Sequence, residues 1–234
     1  MYPKHTLCIG DIHGALLALK QVIHRAKIDF NKDKVIFLGD YVDGWSESAE
    51  LIEFLIDIKE NSKQEHVFLL GNHDLWVLEW LEYGSMPEIW TRQGGEATLD
   101  SYMKNADDKK INIKNHRKFF NSLHNYFIDN DNRAYVHGGY KSKKGLGHED
   151  NINYLWNRSL WYDQDKERLS HYKDVFIGHT SIGANGKMNY GNNLWNIDTG
   201  AGWEGKLTVI DVHTKQYWQS DFVKNLYPLD KGRR

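Results

Sequence analysis

Apolar residues along the chain fall into two alternating patterns. "HTLCIG" (5–10), "KVIFLG" (34–39) and "HVFLLG" (66–71) are short, nearly continuous apolar runs, each closed by Gly, and they predict three buried strands. Between the first two, "ALLALKQVIHRAK" (15–27) repeats its apolar positions at helical spacing in good helix formers. Between the second and third, "SESAELIEFLIDIKE" (46–60) opens with Ser and an early acid, which predicts a helix start there. Strand, helix, strand, helix, strand at a period of about 30 residues is the length of a βαβ unit.

From about 74 to 124 the pattern turns helical, through "DLWVLEWLE", "GGEATLDSYMK" and "KNHRKFFNSLHN". Strands then return as "YFIDN", "RAYVHGG", "DVFIGH", "NLWNID", "GKLTVIDV" and "QYWQS", the last two forming a hairpin around "HTK". No repeat, low-complexity tract or Pro-rich linker interrupts this order. The expectation is one α/β domain over 1–234 with a helix-rich insert at about 74–124.

Composition adds limits. A chain of 234 residues with 40% apolar and 26% charged residues has ample material for a large core. A net charge of −2 and the lack of a basic tract give no reason to expect nucleic-acid binding. No apolar run approaches a membrane span, and the N-terminus lacks a basic segment leading into an apolar one, so a cytoplasmic protein is expected. The one cysteine, Cys8, sits in an apolar run as a structural thiol and rules out an internal disulfide. Nine Trp and twelve His stand out, and the histidines matter only if several converge.

They converge at strand ends. "GDIHG" places Asp11 and His13 after the first strand, "GDYVDG" Asp40 and Asp43 after the second, and "GNHD" Asn72 and His73 after the third. "VHGG" puts His137, and "IGHT" His179, after two later strands. Ligands of open α/β sheets bind outside the carboxyl ends of the strands. Any one of these signals is usually a turn or a surface His, but five in register with strand ends point to one crevice. Oxygen and imidazole donors of this mix suit a first-row divalent ion such as manganese, iron or zinc. They are too many for one open tetrahedral site and about right for two metals sharing a carboxylate. The Gly before each donor is expected to let the backbone turn off the strand.

In this order the motifs resemble those of the calcineurin-like metallophosphoesterase superfamily. More narrowly, they resemble its phosphoprotein-phosphatase-type branch, which holds bacterial and phage serine/threonine phosphatases and symmetrical diadenosine tetraphosphate hydrolases. "NIDTGAGWEGKLTVIDV" (196–212) is similar to the closing strands of that branch. The resemblance implies a sandwich of two mixed β-sheets flanked by helices around a dimetal centre, with manganese as the expected ion. It implies that Asp11 and His13 hold the first metal, that Asp40 bridges both, and that Asn72, His137 and His179 complete the second. A hydroxide formed between the metals would attack phosphorus in line, with His73 as general acid and Asp43 as its partner, raising the imidazole pKa.

The chain departs from the pattern at one place. Many relatives read "GDxVDRG", with an Arg that grips the phosphate, where this chain has Gly44 and then Trp45. Arg158, in "YLWNRSLW", resembles a second phosphate-binding Arg of the bacterial branch and is the expected clamp together with Asn72. Arg92 is a weaker substitute, and Lys141, Lys143 and Lys144 fit a solvated loop. Trp45 either stacks on a substrate ring or packs in the core, and Trp76, Trp80, Trp90, Trp156 and Trp161 are assigned to the core. Asp198 is expected to fix a turn, and the remaining histidines, including His66, His116 and His213, to lie outside the site.

The implied function is a phosphatase acting on phosphoprotein or small phosphate monoesters. The alternative is hydrolysis of a dinucleoside polyphosphate, kept live by Asp74, since the resembled protein phosphatases usually carry Glu there and the hydrolases tend toward Asp. A phosphodiesterase and a non-catalytic binding module are the remaining readings. The oligomeric state is left open.

Overall fold

The computed structural model describes residues 3–106 and 111–233. Residues 107–110, part of the expected helix-rich stretch, lie outside the described residues. The chain opens as β1 (Thr6–Ile9), α1 (Leu16–Ala26), β2 (Lys34–Phe37), α2 (Ser48–Asn61) and β3 (Val67–Phe68). It continues through α3 (Asn72–Tyr83), α4 (Glu88–Trp90), a π-helical turn over Thr91–Gly95, α5 (Glu96–Lys104) and α6 (Ile113–Asn121). The second half holds β4 (Tyr126–Ile128), β5 (Ala134–Val136), α7 (Asn151–Trp156), α8 (Ser159–Asp163), α9 (Lys166–Leu169), β6 (Val175–Ile177), β7 (Leu194–Asn196), β8 (Thr208–Asp211), β9 (Tyr217–Gln219) and α10 (Val223–Leu226).

Among the described residues the strands form two mixed sheets, one of five in the order β3-β2-β1-β8-β9 and one of four in the order β4-β5-β6-β7. β1, β2 and β3 run parallel, as do β5, β6 and β7, while β8, β9 and β4 join antiparallel. His213 lies in the turn of the β8–β9 hairpin, as the sequence implied.

The two-residue period of a strand divides the core into layers. Leu7 and Ile9 of β1, Val35 and Phe37 of β2, and Val209 of β8 face α1 and α2. The residues between them, Cys8, Ile36 and Ile210, face the other way and meet Tyr135 of β5 and Phe176 of β6 in a core shared by the two sheets. Ala134, Val136, Val175 and Ile177 then face Tyr154, Leu160 and Leu169 of α7–α9. Helices, sheet, sheet and helices therefore stack in four layers. Strands covered on both faces are apolar throughout, which is why the three Gly-ended runs show almost no alternation. Cys8 is fully buried between the sheets, where desolvation pushes its thiol pKa up and keeps it inert.

Two boundaries differ from expectation. α2 starts at Ser48, and the N–H of Ser46 is instead met by Asp230 Oδ2 at 3.1 Å. β3 stops after two residues because Leu69 and Leu70 turn to the chain at His124, which accepts from Leu70 N at 2.8 Å. Among the described residues, no helix is long and apolar enough to cross a membrane.

Candidate metal centre and its surroundings

The loops after β1, β2, β3, β5 and β6 meet at one end of the two sheets. Backbone hydrogen bonds lace the first two loops together: Ile12 N and His13 N donate to Asp40 O at 3.0 and 2.9 Å, and Gly14 N to Tyr41 O at 2.7 Å. The loops after β5 and β6 join where Gly178 N donates to His137 O at 2.8 Å. His13, Asp40, Asp43 and His179 all adopt left-handed backbone, with φ of +54°, +52°, +73° and +62°. Such a conformation costs a non-glycine residue about 1 kcal/mol or more, and it persists where surrounding contacts over-determine it.

The glycines before the donors act in a way the sequence reading missed. Only Gly39, at φ +96°, turns the chain through a conformation that favours glycine. Gly71 and Gly178 are needed for room: a Cβ there would lie 2.1 Å from Asp40 Oδ1 and 2.0 Å from Asp11 Oδ1. The missing side chains make space for the two carboxylates.

Asp11, His13, Asp40, Asn72, His73, His137 and His179 are all buried. Candidate donor atoms fall into two groups, Asp11–His13–Asp40 and Asp40–His137–His179, each within 4.8 Å and sharing Asp40. Asp40 Oδ2 lies 3.6 Å from His13 Nε2 and 3.4 Å from His137 Nε2, and His137 Nε2 lies 3.1 Å from Asn72 Oδ1. His13 Nδ1 donates to Val42 O at 3.0 Å and His137 Nδ1 to Leu38 O at 2.9 Å. Those carbonyls set the ring orientation that aims each Nε2 at Asp40, as supporting acceptors do around metal-binding histidines.

The arrangement is short of positive charge. Burial raises the pKa of Asp11 well above the carboxylate range, and the neighbouring Asp198 adds to it. Burial opposes charge on His137 as well, yet Asp40 outweighs it and holds that imidazole up to about 9. Asp40 stays ionised against its own burial because His137, His73 and His13 surround it. Asp11 Oδ1 and His179 Nε2 are buried without a hydrogen-bond partner among the described residues. Orphaned donor atoms of this kind facing a cluster of carboxylates and imidazoles are what a divalent cation would satisfy.

His73 is the second residue of α3, beside the cluster. Its N–H donates to Asp40 Oδ1 at 3.0 Å, its Nδ1 lies 2.6 Å from Asp43 Oδ2, and its ring stands edge-on to His13 and Trp76. Burial pushes Asp43 up to about 8 and His73 down to about 3. Burial thus works against the rise in imidazole pKa expected from Asp43. The protonated pair, however, is the same species whether the shared proton sits on Nδ1 or on Asp43, and in either form Nε2 is free to carry a proton outward.

Asp43 is held by residues from the helical stretch between β3 and β4. Trp90 Nε1 donates to its Oδ2 at 2.8 Å, and Thr98 Oγ1 to its Oδ1 at 2.7 Å. The π-helical turn between them carries non-helical Gln93 and Gly94, and Gly94 O accepts from Gly44 N at 3.1 Å. Trp90 is thus a buried support of the site, and no local pattern marks it out from the other tryptophans. Asp74 is a second support: its carboxylate accepts from Asp40 N, Gly71 N and Tyr41 N at 2.8, 2.9 and 2.9 Å.

Trp45 is 1% exposed, stacks on Tyr227 and donates through Nε1 to Ala201 O at 2.6 Å, so it is core and closed to substrate. Trp156, assigned to the core from sequence, is 37% exposed and meets Trp76 and His179 edge-on. It forms an aromatic wall at the site mouth. Arg158 directly precedes α8, is exposed, and donates through Nη1 to His179 O at 3.1 Å, which brings its guanidinium to the site edge. Arg92 is 75% exposed and paired with Glu88. Lys143 pairs with Glu167 at 2.8 Å in the solvated loop. Asp198 fixes its turn by accepting from Gly200 N at 3.0 Å.

Gly44 has φ of +113°, and a Cβ there would lie 3.0 Å from Arg233 Cγ. Gly44→Arg, which restores the residue common among the relatives, is therefore expected to cost about 1–3 kcal/mol of stability through backbone strain. Thermal unfolding reads this as a Tm lower by about 2–4 °C per kcal/mol. An unchanged Tm would refute the strain argument.

Residues 4–215 match the family model for calcineurin-like phosphoesterase. A symmetrical bis(5'-nucleosyl)-tetraphosphatase from Coxiella burnetii is 38% identical over 110 residues, covering 47% of this chain and 34% of that protein. The match thus spans about a third of that relative's length. Serine/threonine-protein phosphatase 2 of Escherichia coli K12 is 26% identical over 219 residues, covering 89% of this chain and 93% of that one. A crystal structure of a metallophosphoesterase from Sphaerobacter thermophilus superposes with a TM-score of 0.58 at 16% identity, over 96% of this chain and 94% of the other, and shares the fold. With the family model spanning nearly all of the two-sheet sandwich and the whole strand-end cluster, the chain belongs to the calcineurin-like phosphoesterase family.

Proposed function

We propose that this protein is a dimetal-dependent phosphatase that hydrolyses phosphate monoesters, on phosphoprotein or on small molecules. The observation that carries the reading is Asp40 Oδ2 lying between two imidazole Nε2 atoms, with Asp11 Oδ1 and His179 Nε2 unpartnered on either side. Asp11, His13 and Asp40 would hold one ion, and Asp40, Asn72, His137 and His179 the other, with manganese the expected metal and iron or zinc also suited. Bound there, two divalent ions supply Lewis acidity toward phosphoryl oxygens and lower the pKa of a water.

The chain's own groups do the rest. His73 offers its free Nε2 as the proton donor to the leaving oxygen, while Asp43, fixed by Trp90 and Thr98, holds the ring. Arg158 binds phosphate oxygens from the exposed edge, with Asn72 as a further substrate contact. The single buried cysteine accords with a reducing, cytoplasmic setting.

Hydrolysis of a dinucleoside polyphosphate is the second reading, and Trp156 is the observation in its favour. A half-open indole next to His179 offers a surface on which a base stacks. A manganese-supplemented panel separates the two: phosphoserine, phosphothreonine and phosphotyrosine peptides, nucleotides, diadenosine tetraphosphate and a phosphodiester, compared by kcat/KM. The monoesterase reading expects the highest value on a monoester. A clear preference for the dinucleotide would reverse the order, and no turnover on any of them would remove both.

A further inference from the structure

Arg233 comes from the segment after α10 and reaches the cluster through a slot lined by glycines. The segment is anchored on the way: Tyr227 stacks on Trp45, and Arg233 N donates to Gly202 O at 2.9 Å. A Cβ on Gly44, Gly94 or Gly202 would lie 3.0, 3.2 or 3.0 Å from the Arg233 side chain, so each of these positions leaves room for it. Beyond the slot the guanidinium lies over the Trp203 ring, 4.9 Å from its centroid.

Its donors are only lightly engaged. Nη1 is 3.2 Å from His13 Nε2, Nη2 is 3.3 Å from Gln93 Oε1, and the buried Nε has no partner. Among the described residues, no carboxylate forms an ion pair with it. Because His13 Nδ1 donates to Val42 O, Nη1 rests on the lone pair that a metal would take. A half-buried guanidinium beside an expected pair of cations, with no counter-ion of its own, calls for an anion. Arg158, whose Nη1 donates to His179 O at 3.1 Å, is the other guanidinium at the site edge.

We propose that Arg233 is a second substrate-phosphate contact, delivered from a distant segment into the space beside Gly44 and acting with Arg158 at the same site. Guanidinium pairs with phosphate oxygens through two parallel N–H donors, and Nη1 and Nη2 hold only contacts of 3.2 and 3.3 Å. The backbone at Gly44 disfavours any side chain, and the slot it leaves is filled by Arg233 instead. The inference rests on the phosphatase reading for the chemistry of its ligand.

The test compares wild type with Arg233→Ala, Arg233→Lys and, as a control in the same segment, Lys231→Ala. Each manganese-loaded protein is titrated with inorganic phosphate by calorimetry and assayed for KM and kcat on an aryl phosphate, with manganese affinity measured in parallel. Loss of a charge-assisted contact is expected to weaken phosphate binding and raise KM by about 10–100-fold in Arg233→Ala. Arg233→Lys should recover part of this, while Lys231→Ala and the manganese affinities stay at wild-type values. Unchanged phosphate affinity in both Arg233 variants would overturn the inference while leaving the phosphatase reading intact. Tighter manganese binding with higher turnover in Arg233→Ala would also overturn it, making Arg233 an occluder of the metal site. A wild type that turns over no phosphate ester would sink the phosphatase reading, and the phosphate titration would still decide whether Arg233 binds the anion.

Discussion

Replacing His73 by Asn is expected to lower kcat by about 10²–10⁴-fold while the protein still takes up its metals. The metal-facing contribution of this residue is its backbone N–H to Asp40 Oδ1, which Asn keeps. What is lost is the imidazole Nε2, the free nitrogen of a ring whose Nδ1 is committed to Asp43. Asp43 itself stays in place, since Trp90 and Thr98 hold both of its oxygens. The deficit should depend on the leaving group. An aryl phosphate departs as a stable phenolate and needs little help, whereas an alkoxide requires its proton in the transition state. The measurement is kcat for a series of aryl and alkyl phosphates with metal content determined in parallel. A variant as fast as wild type on an alkyl ester would remove His73 from the proton-donor role.

Asp74→Ala is expected to be the most damaging change outside the cluster. It strips the acceptor from three buried N–H groups at once, those of Asp40, Tyr41 and Gly71. Each buried donor left unsatisfied costs about 1–3 kcal/mol, so the sum reaches a large part of the roughly 5–15 kcal/mol that holds a typical domain folded. The loss also falls on the left-handed backbone at Asp40, so the proposed bridge would shift and manganese affinity would fall with stability. Asp74→Asn keeps one oxygen and should lie between the two. Thermal unfolding and manganese titration of both variants test this, and an Asp74→Ala protein with wild-type Tm and metal affinity would contradict it. The same geometry changes what Asp74 says about substrate. From the sequence it leaned toward the dinucleotide hydrolases, but its carboxylate turns inward to brace the Asp40 loop rather than facing a substrate.

Much of the architecture was legible because its cause is local. A strand covered on both faces must be apolar along its length, so "TLCI", "KVIF" and "HVFLL" announced themselves. A candidate donor just past a strand end can be read from a few neighbouring letters, four of the five with Gly before it, and together the five groups point to one cluster. The resemblance in their order carried the fold. Local reading failed where one pattern serves two purposes. The glycines looked like turn residues, yet Gly71 and Gly178 are there to admit carboxylates from other loops. Nine tryptophans share one local look, but Trp45 is sealed in the core, Trp90 grips Asp43 and Trp156 stands half open at the mouth.

Legible in the letters alone were the strand ends, the candidate donors beside them and the resemblance to the family. Tertiary structure alone decided which carbonyls orient His13 and His137, what holds Asp43, and which cation reaches the space beside Gly44. Those are contacts between segments far apart in the chain, 220 residues in the case of His13 and Arg233. Packing the two sheets and their helices brings such segments together, and no periodicity within either segment records the meeting.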